Sequence, residues 1–153
     1  MADPLTGVGL AASLVTLLEV SYKIAKCTKE LSERHGKLPP DLLACNDLIS
    51  ITRRTCERLK LRSERDQAGG PATAFQADLT DLIDQYNETQ NEFSHIIQSL
   101  QASNTFLKAI KLIRREEGIL RIRNALDRHT LAILFVLEED NSAARVESRY
   151  VRL

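Results

Sequence analysis

The sequence predicts an all-α fold, an antiparallel helical bundle of four long helices plus a short basic helix before the last one. Three observations carry that expectation. Apolar residues recur at threes and fours along most of the chain, the period of a helix with one buried face. The 153 residues include only six glycines and four prolines, too few for the frequent turns of a sandwich or barrel. Aromatic residues make up 5% and tryptophan is absent, a poverty that long helices tolerate. The length suits one domain with a real core. Charged residues at 27% and apolar residues at 43% are ordinary for a soluble globular protein. The bundle is expected over residues 1–140, with 141–153 a polar extension or frayed helix end.

The first helix is expected from Pro4, because proline suits a first turn where its missing N–H is not needed. Its apolar stripe reads Leu5, Val8, Ala12, Val15, Leu18, Tyr22, Ala25 and Leu31. Gly36 is a natural terminator after His35. From Pro4 to Leu18 there is no charge at all. That run is not a secretory signal, since it has Asp3 in place of a basic segment and no clear small-x-small cleavage site. It is also shorter than the roughly 20 apolar residues that span a bilayer, and Glu19 interrupts any extension.

After KLPPD, the prolines or Asp41 open a second helix with a stripe of Leu42, Cys45, Ile49, Thr52, Cys56 and Leu59. Ser63 to Thr73, centred on Gly69-Gly70-Pro71, reads as a loop. The third helix carries Phe75, Leu79, Leu82, Tyr86, Phe93, Ile97 and Leu100, supported by Ile83 and Ile96. QASNT breaks the pattern, and the short basic helix FLKAIKLIRR follows. A long helix from about Glu116 toward Glu139 is then expected on Ile119, Ile122, Leu126, Ile133 and Leu137, with Gly118 at a cheap place for a bend.

The net charge is zero, which excludes bulk electrostatic binding of nucleic acid and leaves only local patches. Cys27, Cys45 and Cys56 form no CxxC pair and read as reduced core thiols. His35, His95 and His129 lack partners at metal-ligand spacing. GVGLAAS follows no strand and lacks the Lys and Ser/Thr of a phosphate loop. No catalytic residue, metal site or cofactor is therefore expected. Asp78, Asp81, Asp84, Glu88 and Glu92 form an acidic outer face of the third helix. Lys108, Lys111, Arg114, Arg115, Arg121 and Arg123 form a cluster of opposite sign. The two can pair within the bundle. Alternatively, the basic cluster meets anionic lipid head groups, where each nearby cation contributes about 1 kcal/mol. In the first helix, Gly7 with Ala11 and Gly9 with Ser13 are small-xxx-small pairs that permit close helix approach.

Three stretches, MADPLTGVGLAASLVTLLEVSYKI, LPPDLLACNDLISITRRTCERL and FLKAIKLIRREEGILRIRNALDRHTLAILFVL, together resemble the fungal N-terminal domain of STAND proteins. This is a HeLo-like domain found ahead of NACHT or NB-ARC ATPases and ankyrin arrays, and the likeness runs from Met1 to Leu137. It implies a bundle similar to HeLo domains, to the four-helix domain of the necroptosis pseudokinase and to the N-terminal domains of plant immune receptors. It further implies a non-enzymatic, membrane-targeting, cell-death-inducing effector of fungal heterokaryon incompatibility or innate immunity. Such a domain is cytoplasmic at rest and forms a homo-oligomer at the plasma membrane when activated by an NLR-like or amyloid-signalling partner.

On this resemblance the insertion helix comprises Leu5, Gly7, Val8, Gly9, Leu10, Leu14, Val15, Leu18 and Glu19. Leu5, Val8, Val15 and Leu18 are expected to be buried at rest, and Glu19 to line a pore. One departure is the segment after Asp140, which is short and charged with no Asn/Gln-rich repeat. The chain reads as an excised domain, or as a member whose trigger lies elsewhere. The alternative role is a non-lytic oligomerisation or docking module at the N-terminus of a STAND/NLR-like receptor.

Overall fold

The computed structural model describes residues 5–66, 74–115 and 117–151, and the side chains of 9–64, 75–111 and 117–142. It is all-helical, with five helices among the described residues: α1 (Leu5–His35), α2 (Pro40–Asp66), α3 (Ala74–Ala102), α4 (Phe106–Arg115) and α5 (Gly118–Val151). The expected start at Pro4 and the Gly69-Gly70-Pro71 loop centre lie outside the described residues. α5 passes residue 140 without a break.

The helix ends follow local chemistry. α1 closes on Gly36, whose φ of 76° is cheap only for a residue without Cβ. The Gly36 N–H donates to the Ser32 carbonyl at 2.9 Å, the left-handed cap that satisfies an orphan acceptor. α2 begins with Pro40 in its first turn, and the Leu43 N–H donates to the Pro39 carbonyl at 3.1 Å. Between α4 and α5 the expected bend is present, but its left-handed residue is Glu117, at φ 53°. Gly118 is instead the first residue of α5.

α1 packs on α2 and α3, and α5 packs on the same two helices from the other side. Hydrogen bonds between helices give the directions. Ser13 meets Asp84 and Cys27 meets Gln101, so α1 and α3 run parallel. Cys45 meets Ile119 and Arg62 meets Asp140, so α2 and α5 run parallel as well. Tyr22 meets Glu57 across α1–α2, and Tyr86 meets His129 across α3–α5. With the connections between them, these contacts make both pairs antiparallel. The expected antiparallel order therefore describes α1–α2 and α3–α5, but not the other two pairs. Around the bundle the order is α1, α2, α5, α3.

The core confirms most stripes and corrects one. On α2, Leu42, Cys45, Ile49, Thr52 and Cys56 are buried, as their spacing predicts. On α3 the buried set is Leu79, Ile83, Tyr86, Gln90, Phe93, Ser94, Ile97 and Leu100, and on α5 it is Ile119, Ile122, Leu126, Thr130 and Ile133. On α1 the seam is Leu10, Leu14, Leu17, Ser21, Ile24, Thr28 and Leu31, with Leu18 buried beside it. These residues alternate steps of four and three, the heptad spacing of interlocking helices. The predicted stripe drifts off this seam: Leu18 and Leu31 are buried as expected, whereas Ala12, Val15 and Tyr22 face outward.

Candidate functional site

The candidate insertion segment is the first half of α1. Leu10, Leu14 and Leu18 are core residues. Val15, expected to be buried, is 38% exposed because it lies off the seam of Leu14, Leu17 and Ser21. Gly9 is half-buried and Glu19 is exposed. The side chains of Leu5 and Val8, and the surroundings of Gly7, lie outside the described residues.

α1 is tied to α3 by polar contacts as well as by packing. The Ser13 hydroxyl donates to Asp84 at 2.6 Å, and the buried Gln90 amide donates to the Leu17 carbonyl at 3.0 Å. Lower down, Gln101 donates to Glu30 at 3.0 Å. Gly9, expected to bring helices together, does less than that. A Cβ on Gly9 would meet only the Thr80 methyl at 4.0 Å, ordinary van der Waals contact. Gly9 leaves room for an alanine.

The outward face of α1 changes character along its length. Ala12, Val15 and Thr16 form it ahead of Glu19, which is itself exposed, whereas Lys23, Lys26, Lys29, Glu30, Glu33 and Arg34 form it in the second half. A surface helix of a bundle normally carries charge on its solvent side throughout. The stretch from Ala12 to Leu18 lacks it.

Beside this face α1 and α2 enclose a groove of about 450 Å³, lined by Val15, Leu18, Glu19, Tyr22, Glu57, Lys60, Leu61 and Glu64. The Tyr22 hydroxyl donates to Glu57, a bond that raises the phenol's pKa, while Arg53 lies 5.1 Å from the ring centroid and opposes the shift. Sequence reasoning passed over this groove because Tyr22 was assigned to the core.

The basic cluster does not form one surface. Arg121 pairs with Glu92 on α3 at 3.4 Å, and Arg123 pairs with Asp41 on α2 at 2.8 Å. Two positions along a helix turn the side chain by roughly 200°, which sends these arginines to opposite neighbours. Lys108 and Lys111 are exposed on α4, and the side chains of Arg114 and Arg115 lie outside the described residues. The acidic face is partly used inside the bundle, through Asp84 to Ser13 and Glu92 to Arg121. Asp78, Asp81 and Glu88 are exposed.

Two of the three cysteine thiols and the Tyr86 phenol are buried. The three cysteines are free thiols, with Cys45 and Cys56 buried. Burial pushes both up to about 12, so neither supplies a thiolate near neutral pH. Tyr86 sits 6.5 Å from His129, ring to ring at 72°, and burial holds its phenol well above the usual range. Partial burial, reinforced by Arg128, lowers the pKa of His129 despite the opposing pull of Glu88. Among the described residues, no group of three or more His, Cys, Asp or Glu is placed to hold a metal ion.

The chain matches no family model, no curated protein and no solved structure. Among the described residues, no helix is long and apolar enough to cross a membrane. The surfaces on offer include the stretch of α1 without exposed charge ahead of Glu19, the groove beside it, and Leu107, Lys108 and Lys111 exposed on α4.

Proposed function

We propose that this bundle is a membrane-targeting, cell-death-inducing effector domain of fungal heterokaryon incompatibility or innate immunity. Oligomerisation releases the first half of α1, and the released helices enter the plasma membrane together. The observation that supports this most directly is the outward face of Ala12, Val15 and Thr16. Packing explains the apolar residues of the inner seam, but it does not explain an uncharged solvent side. Lipid contact does. A helix uncharged on both faces suits a protein core and a lipid-bathed assembly, and a switch between them needs two packings within a few kcal/mol. Glu19 marks where that compatibility ends. No single copy has to span the bilayer on its own, because insertion follows clustering. The resting form is cytoplasmic, and an NLR-like or amyloid-signalling partner supplies the clustering signal. Lys108 and Lys111, and the neighbouring Arg114 and Arg115, are the candidates for contact with anionic head groups.

One observation favours the rival reading of a non-lytic docking module. Leu10, Leu14, Leu17 and Leu18 are buried, and Gln90 bonds the Leu17 carbonyl, so α1 is well anchored in the resting state.

A tethered chain separates the two readings. Ser13 and Asp84 touch across α1–α3, so S13C and D84C, in a C27S background, can be joined by a short thiol cross-linker. Forced clusters on dye-loaded vesicles are expected to leak when uncross-linked and to stay tight when joined. Clustered chain that never leaks would defeat the effector reading.

A further inference from the structure

We propose that copies of this chain assemble head to tail, the basic helix α4 of one copy docking into the α1–α2 groove of the next. The contact would supply the clustering required by the function proposed above. It rests on that reading only for its biological role, and its geometry stands alone.

The groove has an apolar floor and an acidic rim. Val15, Tyr22 and Leu61 are exposed there, Leu61 at 58%. Glu19, Glu57 and Glu64 outnumber Lys60 among the lining residues. Glu57 already accepts from Tyr22, whereas neither Glu19 nor Glu64 takes part in a salt bridge among the described residues. This lining selects an occupant that is apolar on one side and cationic beside it.

α4 has that chemistry. Its sequence FLKAIKLIRR contains four cations and no acid. Leu107 is 76% exposed, and Lys108 and Lys111 lie one and four positions further along the same helix, both exposed. Its opposite side is already committed, with Ile110 buried and the Phe106 ring stacked on His35 at 3.8 Å. The helix is therefore anchored to its own bundle by one side while it offers Leu107 and the lysines outward.

A chain cannot fill its own groove. The His35–Phe106 stack holds α4 at the C-terminal end of α1, whereas the groove centres on Leu18. Seventeen residues of helix separate Leu18 from His35, roughly 25 Å at 1.5 Å per residue. The two surfaces lie at different levels of one rigid body, so the occupant is a second copy. Such a contact uses different patches on its two sides, and it propagates into a ring or a filament.

Sedimentation of the intact chain in dilute buffer tests this directly. The wild type is expected to grow with concentration and to revert toward monomer as salt screens the charges. L107D and L61D should each lower self-association about tenfold or more, as expected for losing a docked leucine. Mixed one to one, they should form a heterodimer and stop, because one supplies an intact groove and the other an intact α4. If either leucine variant fails to fold, the neutral pair K108Q/K111Q and E19Q/E64Q takes over in the same experiment, each weakened in self-association and the mixture again pairing.

A wild type that stays monomeric overturns the proposal. So does a mixture that fails to pair, which would point to a symmetric contact. A monomeric chain that captures an added peptide of residues 106–115 assigns the groove to a different basic partner and overturns it too. Assembly without vesicle leakage leaves this contact standing and defeats only the effector reading. Leakage from clusters forced on a chain that does not self-associate does the reverse.

Discussion

Glu117 holds a left-handed backbone that costs a residue with a Cβ roughly 1–2 kcal/mol. Its side chain is exposed, so nothing in the core requires a glutamate there. E117G is expected to raise stability by about 0.5–1 kcal/mol after the extra chain entropy of glycine is subtracted, seen as a higher denaturant midpoint. Its neighbour Gly118 tells the complementary story. The sequence showed a glycine at the break between α4 and α5, but nothing in REEGIL marks which residue bends backward.

A second test at this scale concerns the buried hydroxyls of Thr52 and Thr130, 2.9 Å apart. T52V alone strands the Thr130 hydroxyl in the core and should cost about 1–3 kcal/mol. T52V/T130V removes both hydroxyls but leaves the buried Tyr86 hydroxyl without its two polar neighbours, so it should recover only part of that loss in chemical denaturation. Thr52 was legible as a core position from its spacing, whereas its partner on α5 was not. A polar residue inside an apolar stripe reveals its mate only when the helices are placed side by side.

At the scale of the element, α1 shows how an apolar run can hide its own phase. Between Leu5 and Leu18 nearly every position is compatible with burial, so threes and fours can be counted along more than one line. Further along, the true seam contains Ser21 and Thr28, which look like surface residues, and the outer face contains Tyr22, which looks like core. α2 and α3 were easier because charged residues flank their stripes and leave one reading. Gln90 is the exception on α3, a buried amide that no periodicity argument selects. The existence of all five helices was legible, as was the basic character of α4, but α2 runs to Asp66 inside the expected loop and α5 runs to Val151, past the expected end near Glu139, while the groove depended on the phase of α1.

Gly9 belongs to the same scale. A Cβ there would meet the Thr80 methyl at 4.0 Å, and a glycine within a helix is about 1 kcal/mol less favourable than alanine. G9A is expected to raise the melting temperature by about 2–4 °C. A fall instead would mean that α1 and α3 approach more tightly than this spacing allows.

For the whole molecule, pH dependence should carry a signature of His129. Its folded pKa lies below the ordinary value of about 6.5 because the ring is partly buried and Arg128 stands beside it. Below that value the unfolded chain binds more protons at this site than the folded one. Stability therefore falls as pH drops through the histidine range and levels off below the folded pKa. H129Q should flatten that part of the curve, measured as denaturant midpoints on either side of about pH 6.5, and leave the neutral region nearly unchanged. Parallel pH profiles for the two chains would show that burial does not hold the imidazole neutral.

The order of helices around the bundle determines what is left behind when α1 departs. Its neighbours are α2 and α3, and these do not depend on it for their connection, because α5 touches both. Removing α1 therefore opens a corner without cutting the frame. The remaining three helices form a continuous strip, α2 to α5 to α3, whose inner surface is the apolar lining that α1 had covered. Amide hydrogens of α1 should then exchange as a unit of their own, at lower free energy than those of Leu126 and Ile133. The departing helix would leave a hydrophobic trough about as long as itself, and in a crowded cluster the amphipathic first helix of a neighbour is the ready occupant. Helix exchange between copies would be as natural to this topology as insertion into lipid.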